Sequence, residues 1–281
     1  MLRRIACFTV IGLHRDGEER FGRRRRVAFI AGRARVIQRS EGCGVDAAGA
    51  LHRHGVAWLA TAQNRPARGD ASRSGLGLVR GNSEAVATHS QAYAEHVARY
   101  DLSAHWAGFA AFFQGWAKRA NTAGKSRLAE MRRGLGIFRE QGMVYLVPSL
   151  EAVLAEAEAS AGETDAGLRR LCEALAVLER TEERFYEAEM HRIRAEILLR
   201  RDPANAAAAE QSLQAAIGIA QSQKVRSFEL RAALSLAKLY RAVNRDDDAH
   251  VVLAPAVEGF PPTQQFPELT EAQSLLATLS R

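Results

Sequence analysis

The tripeptide Gly124-Lys125-Ser126 comes nearest to a chemical motif in this chain, because phosphate-binding loops end in Gly-Lys-Ser. Such a loop also needs a glycine five residues before its Gly-Lys pair, where this chain has Arg119. It needs a preceding strand as well, whereas the sequence before residue 124 favours a helix. We therefore interpret Gly124 as a residue that ends the preceding helix, and Lys125 as a solvated side chain.

Histidines are the other candidates for chemistry. His89 and His96 are seven residues apart, so a helix would place both on one face, with His105 nearby. His191 follows Glu187 by four residues, but the HExxH motif is missing. The sequence contains no carboxylate and histidine combination at metal-ligand spacing, and no Ser-His-Asp or paired-carboxylate motif. We expect no enzyme activity, no metal and no cofactor, although sets assembled from distant positions stay open.

The three cysteines indicate a reducing compartment. Cys7, Cys43 and Cys172 are an odd number without CxxC spacing, which argues against a disulfide framework or a zinc site. Cys172 lies in the apolar run 168–178, and we expect it to be a small core residue. No apolar run approaches the roughly 20 residues of a membrane helix. We therefore expect a cytoplasmic protein without a membrane contact.

The net charge of +7 belongs to one end of the chain. Residues 1–80 contain 16 Arg, no Lys and 6 acidic residues, a net charge of +10. Residues 81–281 contain 23 basic and 26 acidic residues, a net charge of −3. The two parts therefore need separate interpretations.

Residues 1–82 are rich in arginine and glycine, and they show no helix or strand period apart from a short run at 27–31. They could be an arm that binds nucleic-acid phosphates, since arginine contacts phosphates bidentately. They could also be a disordered tail. Alternatively, abundant Arg, Gly and Ala without Lys is what a GC-rich gene gives when it is read from a wrong start or in a shifted frame. No nucleic-acid motif supports the arm, so we favour the tail or the mistranslated segment.

From Ser83 to the end of the chain, apolar residues recur at helical spacing, with Asn82-Ser83 as a cap. The sequence predicts helices at 83–100, 102–120, 126–139, 145–161, 165–180, 183–200, 206–221, two within 227–253, and Pro267–Leu279. In 227–253 the first helix is apolar on two sides, which indicates a helix packed between neighbours. One of these faces carries Phe228, Ala232, Leu236 and Leu239, and the other carries Ala233, Ala237 and Tyr240.

These helices form a repeat of two-helix units. A small residue recurs in the middle of each first helix at spacings of 40, 40 and 42 residues, at Gly115, Ala155, Ala195 and Ala237. Each second helix also carries one, at Gly134, Ala174, Ala216 and Ala254. Small residues let neighbouring helices approach closely. We expect four stacked helical hairpins, with one helix before them and one after.

Residues 83–279 resemble the tetratricopeptide-type (TPR-like) region at the C-terminal end of large bacterial regulators, which combine a nucleotide-cyclase domain, a signalling ATPase domain and helical repeats. The resemblance rests on segments 184–199, 215–220, 227–240 and 253–260. It implies an all-α, right-handed superhelix of stacked hairpins that acts as a non-catalytic scaffold or sensor in bacterial signal transduction. The turn at 202–209 is longer than usual in that family, and Pro261-Pro262 interrupts the end. The cyclase and ATPase domains are absent, so we expect a detached or truncated part of such a regulator.

In such repeats the first helices line a concave groove, where a protein or peptide partner docks. Polar residues lie between the two apolar faces of the first helices in 183–200 and 227–253. We expect six of them to face the groove: Glu189, Arg192, Glu196, Arg231, Lys238 and Arg241. The alternative is a solvated face without a partner. A small-ligand sensor and the nucleic-acid arm remain rival functions.

Overall fold

The computed structural model describes residues 65–79, 81–99, 104–118, 124–142, 146–181, 183–204, 206–258, 260 and 267–279. All regular secondary structure in these ranges is helical. The helices are α1 (Arg65–Val79), α2 (Ser83–Arg99), α3 (Ala104–Ala117), α4 (Gly124–Glu140), α5 (Val147–Ser160), α6 (Thr164–Thr181), α7 (Glu187–Arg201), α8 (Ala206–Gln223), α9 (Arg226–Ala242), α10 (Asp246–Val257) and α11 (Pro267–Leu279). None of these helices has both the length and the apolar character that crossing a bilayer requires.

The helices pack in consecutive pairs within one compact unit, Thr61–Arg281. The pairs are α1 with α2, α3 with α4, α5 with α6, α7 with α8, and α9 with α10, and α11 packs against α9 and α10. The first helices of adjacent pairs also contact each other, as α5 does with α7 and α7 with α9. The all-helical, paired arrangement predicted from the sequence is therefore confirmed.

Helix α9 shows why the pairs need one another. Both of its predicted apolar faces are buried, including Phe228 and Ala237, which are fully inaccessible to solvent. One hydrophobic cluster joins α9 to residues of α7, α8, α10 and α11. A helix buried on two sides cannot be stable alone in water, because burial of its apolar surface is the main favourable contribution to folding.

Helix α1 was not predicted, because it lies within residues 1–82, for which no regular element was expected. Its sequence contains three glycines, two serines and two alanines that give no apolar period, so packing determines its structure. Gly77 lies against Val86 of α2, and a Cβ there would be 2.8 Å from the Val86 side chain.

The predicted cap of α2 is confirmed, since Ala85 N donates to Asn82 Oδ1 at 2.9 Å. The helix expected to stand alone before the hairpins is thus paired with α1, whereas the arginine-rich arm within residues 1–64 lies outside the described residues.

Two local predictions were wrong. Gly124 is the first residue of α4 and does not end α3, which stops at Ala117. Cys172 is exposed, because the buried face of α6 follows the spacing Gly167, Leu171, Ala174 and Leu178. Cys172 directly follows the buried Leu171, and successive side chains of an α-helix point about 100° apart around its axis. Lys125 is exposed, as predicted.

The recurring small residues lie where paired helices come close together. A Cβ on Gly134 of α4 would be 2.6 Å from the Gly108 carbonyl oxygen of α3. A Cβ on Gly115 of α3 would be 2.7 Å from the Arg127 carbonyl oxygen of α4. In the next pair, a Cβ on Gly167 would be 2.5 Å from the Ala155 carbonyl oxygen. Such distances exclude a larger side chain unless the backbones move apart.

Candidate functional site

The six residues predicted to face a groove, called the polar band here, lie on α7 and α9, and four of them contact one another. Arg192 donates to Glu189 at 3.1 Å and to Glu196 at 2.6 Å, both on its own helix. Arg231 Nη1 on α9 lies 3.4 Å from Glu189 Oε2 on α7, which links the two helices. The structure therefore brings Glu189, Arg192, Glu196 and Arg231 together.

The band continues onto α11 and α5 through partners that were not predicted. Arg231 Nε donates to Glu268 at 2.9 Å, and Lys238 Nζ lies 2.7 Å from Glu271. Arg241 Nη1 contacts the Thr278 hydroxyl at 3.4 Å. These contacts link polar side chains of α9 to α11. At its other end, Arg192 Nη2 donates to Glu156 of α5 at 3.2 Å.

Exposure differs between the residues of the band. The side chain of Glu189 is 1% exposed, and those of Arg192 and Arg231 are 11% and 15% exposed. Lys238 is 50% exposed, and Arg241 also lies at the surface. The inner residues therefore hold helices together, whereas Lys238 and Arg241 can reach a molecule in solution.

The electrostatics of the band favour the charged forms of Arg192 and Glu196. Burial lowers the pKa of Arg192, but Glu189, Glu196 and Glu156 outweigh it and raise that pKa well above its usual value. For Glu196, burial raises the pKa, but the charge and hydrogen bond of Arg192 lower it overall. Burial raises the pKa of the Tyr186 hydroxyl beside them. A buried network of this kind is stable only while both signs of charge are present.

Two contacts across the pairs join residues that occupy equivalent positions in the repeat. Glu189 precedes Ala195 by six residues, and Arg231 precedes Ala237 by six. Likewise, Ser160 and Arg200 each follow their small residue by five, and Arg200 Nη1 donates to Ser160 Oγ at 3.1 Å. The 40- and 42-residue spacings could therefore have predicted which side chains meet, had they been applied to the polar positions.

A second buried ion-pair cluster holds α4, α5 and α6 together. Glu158 of α5 is fully buried, and Arg170 of α6 donates to it at 2.8 Å from two nitrogens. Arg132 of α4 donates to the same carboxylate at 2.9 Å. Glu151, two turns before Glu158 on α5, accepts from Arg170 at 2.5 Å and from Arg139 at 2.6 Å. Burial lowers the pKa of Arg170, but the hydrogen bonds to both carboxylates raise it overall.

A cavity of about 180 Å³ lies among α3, α4, α5 and α7. Its lining residues are Trp116, Arg127, Met131, Val153, Glu156, Ala157, Ser160 and Arg200. It adjoins the polar band, because Glu156 also accepts the hydrogen bond from Arg192. None of the six predicted groove residues lines it.

The histidines form no metal site in the described residues. His89 Nδ1 and His96 Nδ1 both lie close to the carboxylate of Asp70 on α1, at 3.2 and 3.4 Å. His191 is half-buried, and burial lowers its pKa. The side chain of His105 lies outside the described residues. The described part of the chain contains no group of three His, Cys, Asp or Glu side chains that could hold a metal ion.

Comparisons with known proteins give one curated relative and no family. A Rhizobium meliloti (strain 1021) protein, the uncharacterized protein R02095, is 31% identical to this chain over 138 residues. The match covers 49% of this chain and 13% of that protein, so the chain spans only a small part of its relative. No protein-family model matches the chain, and no solved structure matches it.

Proposed function

We propose that this chain is a non-catalytic helical-repeat module that binds a protein or peptide segment along the polar band. In this proposal the hairpins stack into a right-handed, TPR-like superhelix, and the first helices line its concave groove. The observation that carries the proposal is the chain of polar contacts that links α5 to α7, α7 to α9, and α9 to α11. First helices that line the inner face of stacked hairpins are the usual docking surface of such proteins.

The six residues of the band divide into two roles. Glu189, Arg192 and Arg231 are buried and paired, and Glu196 accepts hydrogen bonds from Arg192 on α7 and from Ser235 on α9. These four residues therefore position the first helices and make no direct contact with the partner. Lys238 and Arg241 are exposed at the outer end and recognise the partner directly. Because both are cations, the segment that they bind carries carboxylates. Electrostatic complementarity of this kind contributes to specificity and to the association rate.

The setting that we propose is cytoplasmic signal transduction in a bacterium, with the module as part of a larger cyclase- or ATPase-type regulator. The length of the relative supports this proposal. Since 138 residues are 13% of the Rhizobium meliloti protein, that protein is roughly 1,060 residues long, or 138 divided by 0.13. A repeat region inside a long multidomain protein is what the proposal requires.

Affinity capture followed by charge reversal tests the proposal. A partner is first isolated from a lysate of the source bacterium with the full chain as bait, and its affinity is measured with purified components. The double variant Lys238→Glu/Arg241→Glu should then weaken binding at least tenfold. We expect Arg133→Glu, an exposed reversal on α4 outside the band, to bind as the parent does.

Circular dichroism must show that all variants are folded, which is expected because the three altered side chains are at least half exposed or lie at the surface. Unchanged affinity in Lys238→Glu/Arg241→Glu would show that the outer end of the band does not dock the partner. The inner residue Arg231 is a poor choice for this test, because its replacement alters the contact between α7, α9 and α11 as well.

A further inference from the structure

The cavity among α3, α4, α5 and α7 is lined by two arginines that have no carboxylate partner in the described part of the chain. Arg127 is 9% exposed, and the acceptor of its Nη2 among the described residues is the carbonyl oxygen of Ala157, at 3.2 Å. Its buried Nε has no hydrogen-bond acceptor among the described residues. Arg200, from α7, donates to the neutral hydroxyl of Ser160. By contrast, Arg132, on the same helix as Arg127, is paired with carboxylates.

The charge balance of the cavity is therefore positive. Neither Arg127 nor Arg200 forms an ion pair with a carboxylate in the described part of the chain, although Arg200 helps to lower the pKa of Glu196 on its own helix. The lining contains one carboxylate, Glu156, and Arg192 already donates to it at 3.2 Å. A buried guanidinium nitrogen without an acceptor costs free energy, which an anion within hydrogen-bond reach would recover.

Part of the cavity lining is apolar. Trp116, Met131 and Val153 line it, and each is at most 5% exposed. A volume of about 180 Å³ corresponds to roughly six water molecules at about 30 Å³ each. The cavity therefore suits a small molecule with one anionic end and one apolar end.

We propose that this cavity binds a small organic anion, a carboxylate or phosphate monoester that carries an apolar group of about the size of one ring. The oxyanion accepts hydrogen bonds from Arg127 Nε and Arg200, and the apolar group lies against Trp116, Met131 and Val153. Because Arg200 is on α7 and Arg127 on α4, a bound anion connects two helical pairs. This site goes beyond the proposed docking of a partner on the band.

Calorimetric titration of the full chain at constant ionic strength tests the proposal with three anionic probes and one neutral probe. The anions are benzoate, phenyl phosphate and inorganic phosphate, and benzamide is the neutral isostere of benzoate. We expect benzoate or phenyl phosphate to bind in a saturable manner with one site per chain, and benzamide to bind at least tenfold more weakly. Binding of benzoate alone assigns a carboxylate ligand, and binding of the two phosphates alone assigns a phosphate ligand.

Matched variants place the binding in the cavity. Arg200→Gln alters an exposed side chain and should weaken binding at least tenfold, and Arg127→Gln should weaken it further. Arg133→Gln, which removes an exposed charge from α4 outside the cavity, should leave the affinity unchanged. If Arg127→Gln does not fold, Arg200→Gln still decides the question.

The proposal is wrong if no anionic probe binds below about 10 mM, if benzamide binds as well as benzoate, or if Arg133→Gln weakens binding as much as Arg200→Gln. Its failure is distinguishable from failure of partner docking. Lys238 and Arg241 do not line the cavity, so the variant that tests partner docking should bind the anionic probe with unchanged affinity.

Discussion

Arg231 Nη1 on α9 lies 3.4 Å from Glu189 Oε2 on α7, and the two residues are 42 positions apart in the chain. The same spacing separates Ala195 from Ala237, the buried small residues of the two helices. The pair therefore joins equivalent positions of neighbouring repeats. In a protein whose units contact mainly their neighbours, such pairs contribute to the interface energy between units.

Gly134→Ala should destabilise the protein by about 2 kcal/mol or more, because the new Cβ would meet backbone atoms of α3 that cannot move independently. Chemical denaturation measures the free energy of unfolding. The matched control is Gly136→Ala in the same helix, where a Cβ meets nothing within 4 Å. The free energy of unfolding of that variant should rise by up to about 1 kcal/mol, because alanine has a higher helix propensity than glycine. Equal effects of the two substitutions would contradict the close approach of α3 and α4.

Glu158→Gln should destabilise the protein by about 3 kcal/mol, because it leaves the guanidinium groups of Arg170 and Arg132 without their shared buried carboxylate. Glu163→Gln is the control, since Glu163 pairs with Arg132 but is 39% exposed. We expect Glu163→Gln to lower the free energy of unfolding by less than about 1 kcal/mol. If Glu158→Gln lowers stability no more than Glu163→Gln does, the cluster does not join α4 to α6.

Glu183 should make stability depend on pH. Burial raises its pKa from 4.5 to about 7, although the Leu146 N–H, which donates to it at 2.9 Å, opposes the shift. A carboxyl with a raised pKa binds its proton more tightly in the folded state. Its contribution is therefore fully present below about pH 4.5 and is lost as the pH rises through 7.

Glu183→Gln isolates this effect, because the amide oxygen can still accept from Leu146 and does not titrate. The stability of the variant relative to the parent should rise by about 3 kcal/mol between pH 4.5 and pH 8. Denaturation of both proteins at each pH measures the difference, which also cancels the titration of His191. A difference that stays constant over this range would mean that Glu183 is not buried as described.

Much of the fold could be predicted from the sequence, because helical periodicity and small residues are local signals. The predicted start of α2 and both ends of α11 agree with the structure. Helix α7 begins at Glu187, four residues after the predicted start, since residues before Tyr186 form a turn. Helix α1 could not be predicted, because its glycine- and serine-rich sequence becomes helical only through contacts with α2 and α3.

The site could be predicted only in part. The polar band was found because its residues lie between two apolar faces of a helix, which is a property of one helix. Its partners Glu156 and Glu268 and the cavity arginine Arg127 belong to other helices, so their roles depend on how pairs are arranged in space. Burial of Glu189 was also not predictable, because a glutamate among polar neighbours normally indicates a solvated position.

A double-mutant cycle on Glu189 and Arg231 tests the central claim, that repeats pack through equivalent positions, most directly. The free energy of unfolding is measured for the parent, Glu189→Gln, Arg231→Gln and the double variant, with Glu189→Gln/Lys238→Gln as a control cycle. We expect a coupling energy above about 1 kcal/mol for the first cycle, and additivity within about 0.5 kcal/mol for the control, whose residues have separate partners. Additive effects of Glu189→Gln and Arg231→Gln would contradict the claim.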